Sequence, residues 1–245
     1  MATVPDIRAE EIEYPSSDGK PVAETDIHID VLLDVRSRLK ARFADRDDVY
    51  VAGNMLVYYA EGQPRVSLAP DGFVVFGVPN HRRKVFKTWA EGKFPSVVFE
   101  FTSKSTQNED LEEKFDIYQN IWKVSEYFLF DPEEEYLDPS LLGYRMSRGE
   151  LKPIKPVRFR LTSKALGLTL ARDGTRLVLR DAETGEELLT PDAIAARQER
   201  ARDLAERARD LAELAHLRGE LTRQGAELAQ IRAELAALRQ KPSSP

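Results

Sequence analysis

FPSVVFEFTSKSTQNEDLEEKFDIY, residues 94–118, decides how the chain is read. Its run Val97-Val98-Phe99 is β-branched and aromatic, follows Pro95 and is too short for a helix, so the pattern predicts a buried strand. Glu100 stands at the end of that strand. A carboxylate there is costly to bury alone and calls for a pairing cation, an open cleft or a bound metal ion. A polar turn follows, and Thr106-x-x-Glu109 has the capping-box spacing that satisfies the free amides of a first helical turn. Leu111, Phe115, Tyr118 and Trp122 then recur at helical spacing, which predicts an amphipathic helix packed on a sheet. The segment reads as strand, polar corner and helix.

A second acid gives the corner its interest. In APDGFVVFGV, residues 69–78, Asp71 opens another apolar strand, Phe73 to Phe76. If the two strands pair antiparallel, the start of one lies beside the end of the other, and Asp71 and Glu100 face one point, as a Mg²⁺ site requires. The Phe101 carbonyl, next along the strand, is the natural third ligand. Phosphodiester hydrolysis is so slow uncatalysed that an enzyme must offset a very high barrier. Two acids and a carbonyl suffice to hold an ion that activates water and neutralises phosphate charge. The helix N-terminus near Thr106 would aim its amides at the same region. The plainer alternative for these residues is that Asp71 caps a turn and Glu100 pairs with Lys104.

Composition bounds the chemistry. At 245 residues the chain accommodates one ordinary domain and an appendage. Its longest apolar stretches fall short of the roughly 18 residues that span a bilayer, and no basic, apolar leader opens it, so a cytoplasmic location is expected. There is no cysteine, and the histidines are only His28, His81 and His216, so thiolate and zinc sites are not expected and any metal should be oxygen-bound. The net charge of −6 argues against a protein coated for non-specific nucleic-acid binding. Local basic runs stand against that total: Arg82, Arg83, Lys84, Lys87 and Lys93 follow His81, and ten Lys or Arg between Arg145 and Arg180 meet only Glu150 and Asp173. Such runs are solvated faces or phosphate contacts.

In chain order, Met1 to Asp18 reads as an extended arm that packs late or not at all, punctuated by Pro5, Pro15 and Ser16-Ser17-Asp18-Gly19. Ile27, Val31, Leu32, Val35 and Leu39 predict a helix between Thr25 and Phe43, preceded by Glu24. Val49 to Val51 and Met55 to Tyr59 read as two short strands joined by a turn at Gly53-Asn54. After the central segment come a strand from Tyr127 to Phe130, a hairpin of Leu141 to Met146 with Leu151 to Ile154 around Gly149, and further short strands between Pro156 and Leu189.

Taken together, PDGFVVFGV, KTWAEGKFPSVVFEFTSKST, then Asp110, Lys114 and Tyr118, then VSEYFLFDP resemble the Uma-two family of restriction endonuclease-like proteins, within the PD-(D/E)XK nuclease superfamily. The likeness spans Glu24 to Leu189. It implies an α/β fold with a mixed sheet flanked by helices, a Mg²⁺-dependent phosphodiesterase site, with Mn²⁺ as a substitute, and a DNA substrate. On this likeness Pro70-Asp71 matches the family's Pro-Asp, Glu100 its second acid, and Glu24 the acid on the first helix. The metal set is then Asp71, Glu100, Phe101 and Glu24. One departure stands out: the superfamily's lysine two residues after the second acid is here Thr102, which carries no charge. Lys104 lies beyond the strand end. Lys114, bordering the apolar stripe, is the better replacement, although an Asp110–Lys114 pair at i,i+4 is the alternative, stabilising by only a few tenths of a kcal/mol.

The C-terminal segment is a different object. Leu214, Leu217, Leu221, Leu228, Ile231, Leu235 and Leu238 alternate three and four apart, the pattern of a coiled-coil seam with Gln224 in one core slot. The organisation expected is an arm (1–18), a nuclease-like domain (19–190), a C-terminal helix forming a coiled coil (191–240) and a disordered tail (241–245). The function expected is a Mg²⁺-dependent DNA endonuclease dimerised by its coil. The alternative is a catalytically inactive module of the same fold that binds nucleic acid or assembles.

Overall fold

The computed structural model describes residues 12–17, 25–102 and 112–239. The chain divides into two compact units, Met1–Pro191 and Asp192–Pro245. The first is built on a mixed six-stranded sheet of order β1-β4-β6-β7-β8-β9, made of β1 (Val49–Ala52), β4 (Gly72–Phe76), β6 (Val97–Phe101), β7 (Glu126–Phe130), β8 (Leu141–Ser147) and β9 (Glu150–Pro153). Within this sheet only β6 and β7 run parallel, and a parallel pair needs a crossover, here the helical segment before Trp122. The hairpin around Gly149 is the β8–β9 pair.

The α1 helix (Asp26–Arg42) begins where the apolar periodicity begins, with Thr25 as N-cap accepting a hydrogen bond from the His28 amide. Its buried face, Val31, Val35 and Leu39, packs on one side of the sheet against Val49, Val51, Val74 and Phe99. Alternate residues of the same strands, Tyr50, Phe73, Val75, Val98 and Tyr127, point to the opposite side and meet Tyr118 and Trp122. Both faces are covered, which is why β4, β6 and β7 read as near-continuous apolar runs, interrupted by Glu100 in β6 and opened by Glu126 in β7. The chain after β9 forms an antiparallel meander, β10 (Leu161–Ser163), β11 (Leu168–Asp173) and β12 (Arg176–Asp181), under α1. Arg38 ties the helix to it. Its guanidinium donates to Asp34, to Glu187 and to the Leu188 carbonyl.

The two short strands expected on either side of Gly53-Asn54 are present but belong to different sheets: β1 pairs with β4, whereas β2 (Val57–Tyr58) joins β3 (Ser67–Leu68) and β5 (Phe86–Lys87) in a separate small sheet. The physical reason lies at Gly53. A Cβ there would sit 2.1 Å from the Asp71 carbonyl oxygen, so this segment is drawn against the start of β4 instead of folding back on β1. The described part of the N-terminal arm, residues 12–17, does pack. The Tyr14 ring lies 5.0 Å from that of Tyr58 and 5.2 Å from that of Trp89, its hydroxyl accepts from the Gly62 amide, and the Pro15 carbonyl accepts from the Tyr58 hydroxyl. The central helix is not a uniform α-helix either. Its three-residue α3 (Lys114–Asp116), which follows the short α2 (Thr88–Glu91), widens into a π-helix, Ile117–Trp122. The predicted capping box at Thr106 and Glu109 lies outside the described residues.

The second unit is a helix, α4, running from Pro191 to Arg239. Leu214, Leu217, Leu221, Leu228, Ile231 and Leu235 are exposed along it. No helix among the described residues is long and apolar enough to cross a membrane.

Candidate active site

The antiparallel register of β4 and β6 pairs Gly72 with Phe99, and one further step along it sets Asp71 opposite Glu100. The two acids therefore stand at adjoining strand ends. Asp71 does more than flank the strand: its Oδ2 accepts a 2.7 Å hydrogen bond from the Phe101 amide, taking the place of a backbone partner where β4 has ended. The same oxygen lies 3.5 Å from His28 Nε2 in the first turn of α1, whose ring meets Phe101 edge-on. Among the described residues no hydrogen bond reaches Asp71 Oδ1.

Glu100 is fully buried, at 0% exposure, which for a carboxylate demands partners. Among the described residues, one helical segment supplies two of them. Lys114 Nζ lies 3.1 Å from Oε2, and the Tyr118 hydroxyl donates to Oε1 at 2.5 Å. Residues four apart share a helix face, so a lysine and a tyrosine at i and i+4 can grip the two oxygens of one carboxylate. The π-helix that begins at Ile117 carries Tyr118 in its first turn, and such wide turns are frequent at functional sites. Burial, and next the Glu100 charge, push the Tyr118 hydroxyl well above the ordinary phenol range and keep it a donor.

Of the residues named from sequence, Asp71, Glu100, Phe101 and Lys114 converge here. Glu24, Lys104 and Asp110 lie outside the described residues. Thr102 is buried, and its amide donates to the Phe130 carbonyl. Sequence reasoning missed His28 and gave Tyr118 only a packing role. His28 is the third helical residue of α1, in the turn Glu24 was expected to serve, and Tyr118 is spaced four from Lys114; those spacings were the available signals.

The donor set fits a hard cation. It combines two carboxylates on adjoining strands, a strand-end carbonyl, and an Asp71 oxygen that accepts nothing from its described neighbours. No three His, Cys, Asp or Glu side chains among the described residues form a metal-holding group, so an ion here would draw on the Phe101 carbonyl and water as well.

A family model described as "Uma2: Putative restriction endonuclease" matches residues 3–161. No curated protein matches the chain. One solved structure similar to it is described as a "putative nuclease belonging to DUF820 from Anabaena variabilis ATCC 29413"; identity is 14%, over 64% of this chain and 86% of that one, with a TM-score of 0.44.

Proposed function

The chain belongs to the Uma2 family, described as "Putative restriction endonuclease", and on that premise we propose that it is a metal-dependent endonuclease that hydrolyses DNA phosphodiester bonds. The observation that carries this reading is the register that sets Asp71 beside Glu100 with Lys114 3.1 Å from the latter. Asp71, Glu100 and the Phe101 carbonyl would hold Mg²⁺, or Mn²⁺ in its stead. Glu24 is the further ligand suggested by resemblance. When bound, the ion supplies charge neutralisation at the scissile phosphate and lowers the pKa of a bound water.

The chain's own residues do the rest. Lys114 takes the role of the lysine missing at Thr102, reaching the second acid from the helix instead of from the strand. Its ammonium favours a water-derived nucleophile losing its proton and offsets charge on the phosphate. Tyr118 fixes the Glu100 carboxylate from the other oxygen. His28 adjoins Asp71, where it restrains the carboxylate and can accept or return a proton.

Supercoiled plasmid with Mg²⁺, Mn²⁺ or EDTA tests the proposal. Nicking or linearisation is expected with the metals and not with EDTA, and is lost in Asp71→Asn and Glu100→Gln. Lys114→Met should slow cleavage far more than Lys104→Met. Because removing one partner of a buried ion pair costs about 3–5 kcal/mol, each variant is compared below its own melting temperature. Equal, mild losses for the two lysines would assign the role to another group.

The second reading, a catalytically inactive module that binds nucleic acid or assembles, is favoured by one observation: Thr102 is buried and hydrogen-bonded through its backbone at the motif's lysine position. A wild type that binds DNA and cuts nothing with either metal would select it.

A further inference from the structure

The outer edge of β1 borders a cleft of about 560 Å³, walled by α1 on one side and the loop Asn80–Arg83 on the other. Its charged lining is one-sided. Arg36, Lys40, His81, Arg82 and Arg83 face it, and among the described residues no carboxylate does. Arg83 is committed elsewhere: it makes two hydrogen bonds to Glu91, at 2.7 and 2.9 Å, and stacks its guanidinium 4.3 Å above the Tyr50 ring. Arg36, Lys40 and Arg82 have no ion pair among the described residues, and the buried Arg36 Nε has no hydrogen-bond acceptor there. Partial burial, and then the neighbouring Arg36 and Arg82 charges, hold the Lys40 ammonium below its ordinary range. Three cations gathered without a counter-charge repel one another and invite an anion.

Position supplies the second half. The cleft ends at Ala52 and Gly53, and Gly53 is the residue pressed against the Asp71 carbonyl. At its other end are Arg36 and Lys40, eight and twelve residues along α1 from His28, or about 12 and 18 Å at about 1.5 Å per residue. With one charge per about 3.4 Å on each strand of a duplex, that span matches about four to five phosphates.

We infer that this cleft holds the phosphate backbone of a DNA segment leading away from the bond at Asp71 and Glu100, with Arg36, Lys40 and Arg82 as its phosphate contacts. The inference rests on the endonuclease reading for its substrate. The competing occupant is a peptide strand added to the edge of β1, which the apolar lining of Phe43, Val49 and Met55 would suit, but the three cations without a counter-charge among the described residues favour a polyanion over it.

The test is binding of a fluorescein-labelled 20-base-pair duplex to the full chain by anisotropy, in EDTA, from 50 to 300 mM NaCl. Lys40 and Arg82 are both exposed, so the Lys40→Ala/Arg82→Ala pair should fold normally. Its plot of log affinity against log salt should be shallower than wild type by about 1.8, or 0.9 for each lost phosphate contact. Lys152→Ala/Lys155→Ala, outside the cleft, should leave the slope unchanged. An unaltered slope in the cleft variant, an equal change in the control pair, or no duplex binding by wild type at 50 mM NaCl would each overturn the inference. Cleavage is measured separately: a wild type that binds with the expected slope but cuts with neither metal sinks the endonuclease reading and leaves the cleft standing.

Discussion

Among the described residues, the cost of burying Glu100 is met by partners of two different kinds. The Lys114 pair opposes charge with charge, while Tyr118 offers a neutral donor that cannot leave without exposing an oxygen in a dry site. Tyr118→Phe removes only a hydroxyl, so its effect isolates that second partner, and a hydrogen bond to a charged group contributes about 1.5–3 kcal/mol. Chemical denaturation at pH 7 should show a loss of that order. The pH dependence follows from the sign of the shift. The folded pKa of Tyr118 lies above its unfolded value near 10, so the stability it brings is fully present below about pH 10 and is lost as pH rises toward the folded pKa. The gap between wild type and Tyr118→Phe should therefore narrow above pH 10; a gap that stays constant up to pH 11 would place the hydroxyl in water instead.

Among the elements, the turn between β9 and β10 departs most from its sequence preference. Val157 and Arg160 exchange hydrogen bonds of 2.9 and 3.1 Å across Arg158 and Phe159, which take φ values of 50° and 62°. Two consecutive positive φ values belong to the mirror-image hairpin turn that Asn-Gly favours. Arg158 and Phe159 are held there with Phe159 96% exposed, so no side-chain burial compensates the backbone. Replacing them together with Asn-Gly should raise stability by about 1–2 kcal/mol, read as a higher denaturation midpoint with unchanged slope. No gain would mean that the turn relaxes at little cost. The six-stranded sheet behaves in the opposite way, because β4, β6 and β7 are apolar runs whose preference and burial agree.

For the whole molecule, the open question is what covers α4. Its seam from Leu214 to Leu235 is exposed in the single chain, and burying each leucine would contribute about 1.5–3 kcal/mol, so a few of them offset the cost of association. Self-association through this seam is proposed. A dimer would also bring two candidate sites to one duplex. Sedimentation of the full chain beside a version ending at Thr190 should show an oligomer that truncation abolishes, and Leu221→Lys with Leu228→Lys should reproduce the truncation. Identical monomeric masses for all three would refute the proposal.

What could be read from residues alone was whatever depends on local pattern. The strand Val97–Phe101, the strand after Asp71, the helix with Val31, Val35 and Leu39 on one face, and the long C-terminal helix all follow from periodicity, because burial of a two- or 3.6-residue repeat allows few alternatives. Asp71 and Glu100 were legible as strand-end acids, and antiparallel pairing was the one condition that joined them. Tertiary structure decided the rest. Only packing could show that Val57 leaves the main sheet, that Tyr14 docks on Tyr58, and that His28 comes to 3.5 Å from Asp71 across 43 residues of chain. The same holds for Lys114. Its charge is written in the sequence, but its pairing with Glu100 depends on a buried carboxylate that no local spacing can reveal, since the energy of that pair comes from the dry surroundings supplied by both sheet faces.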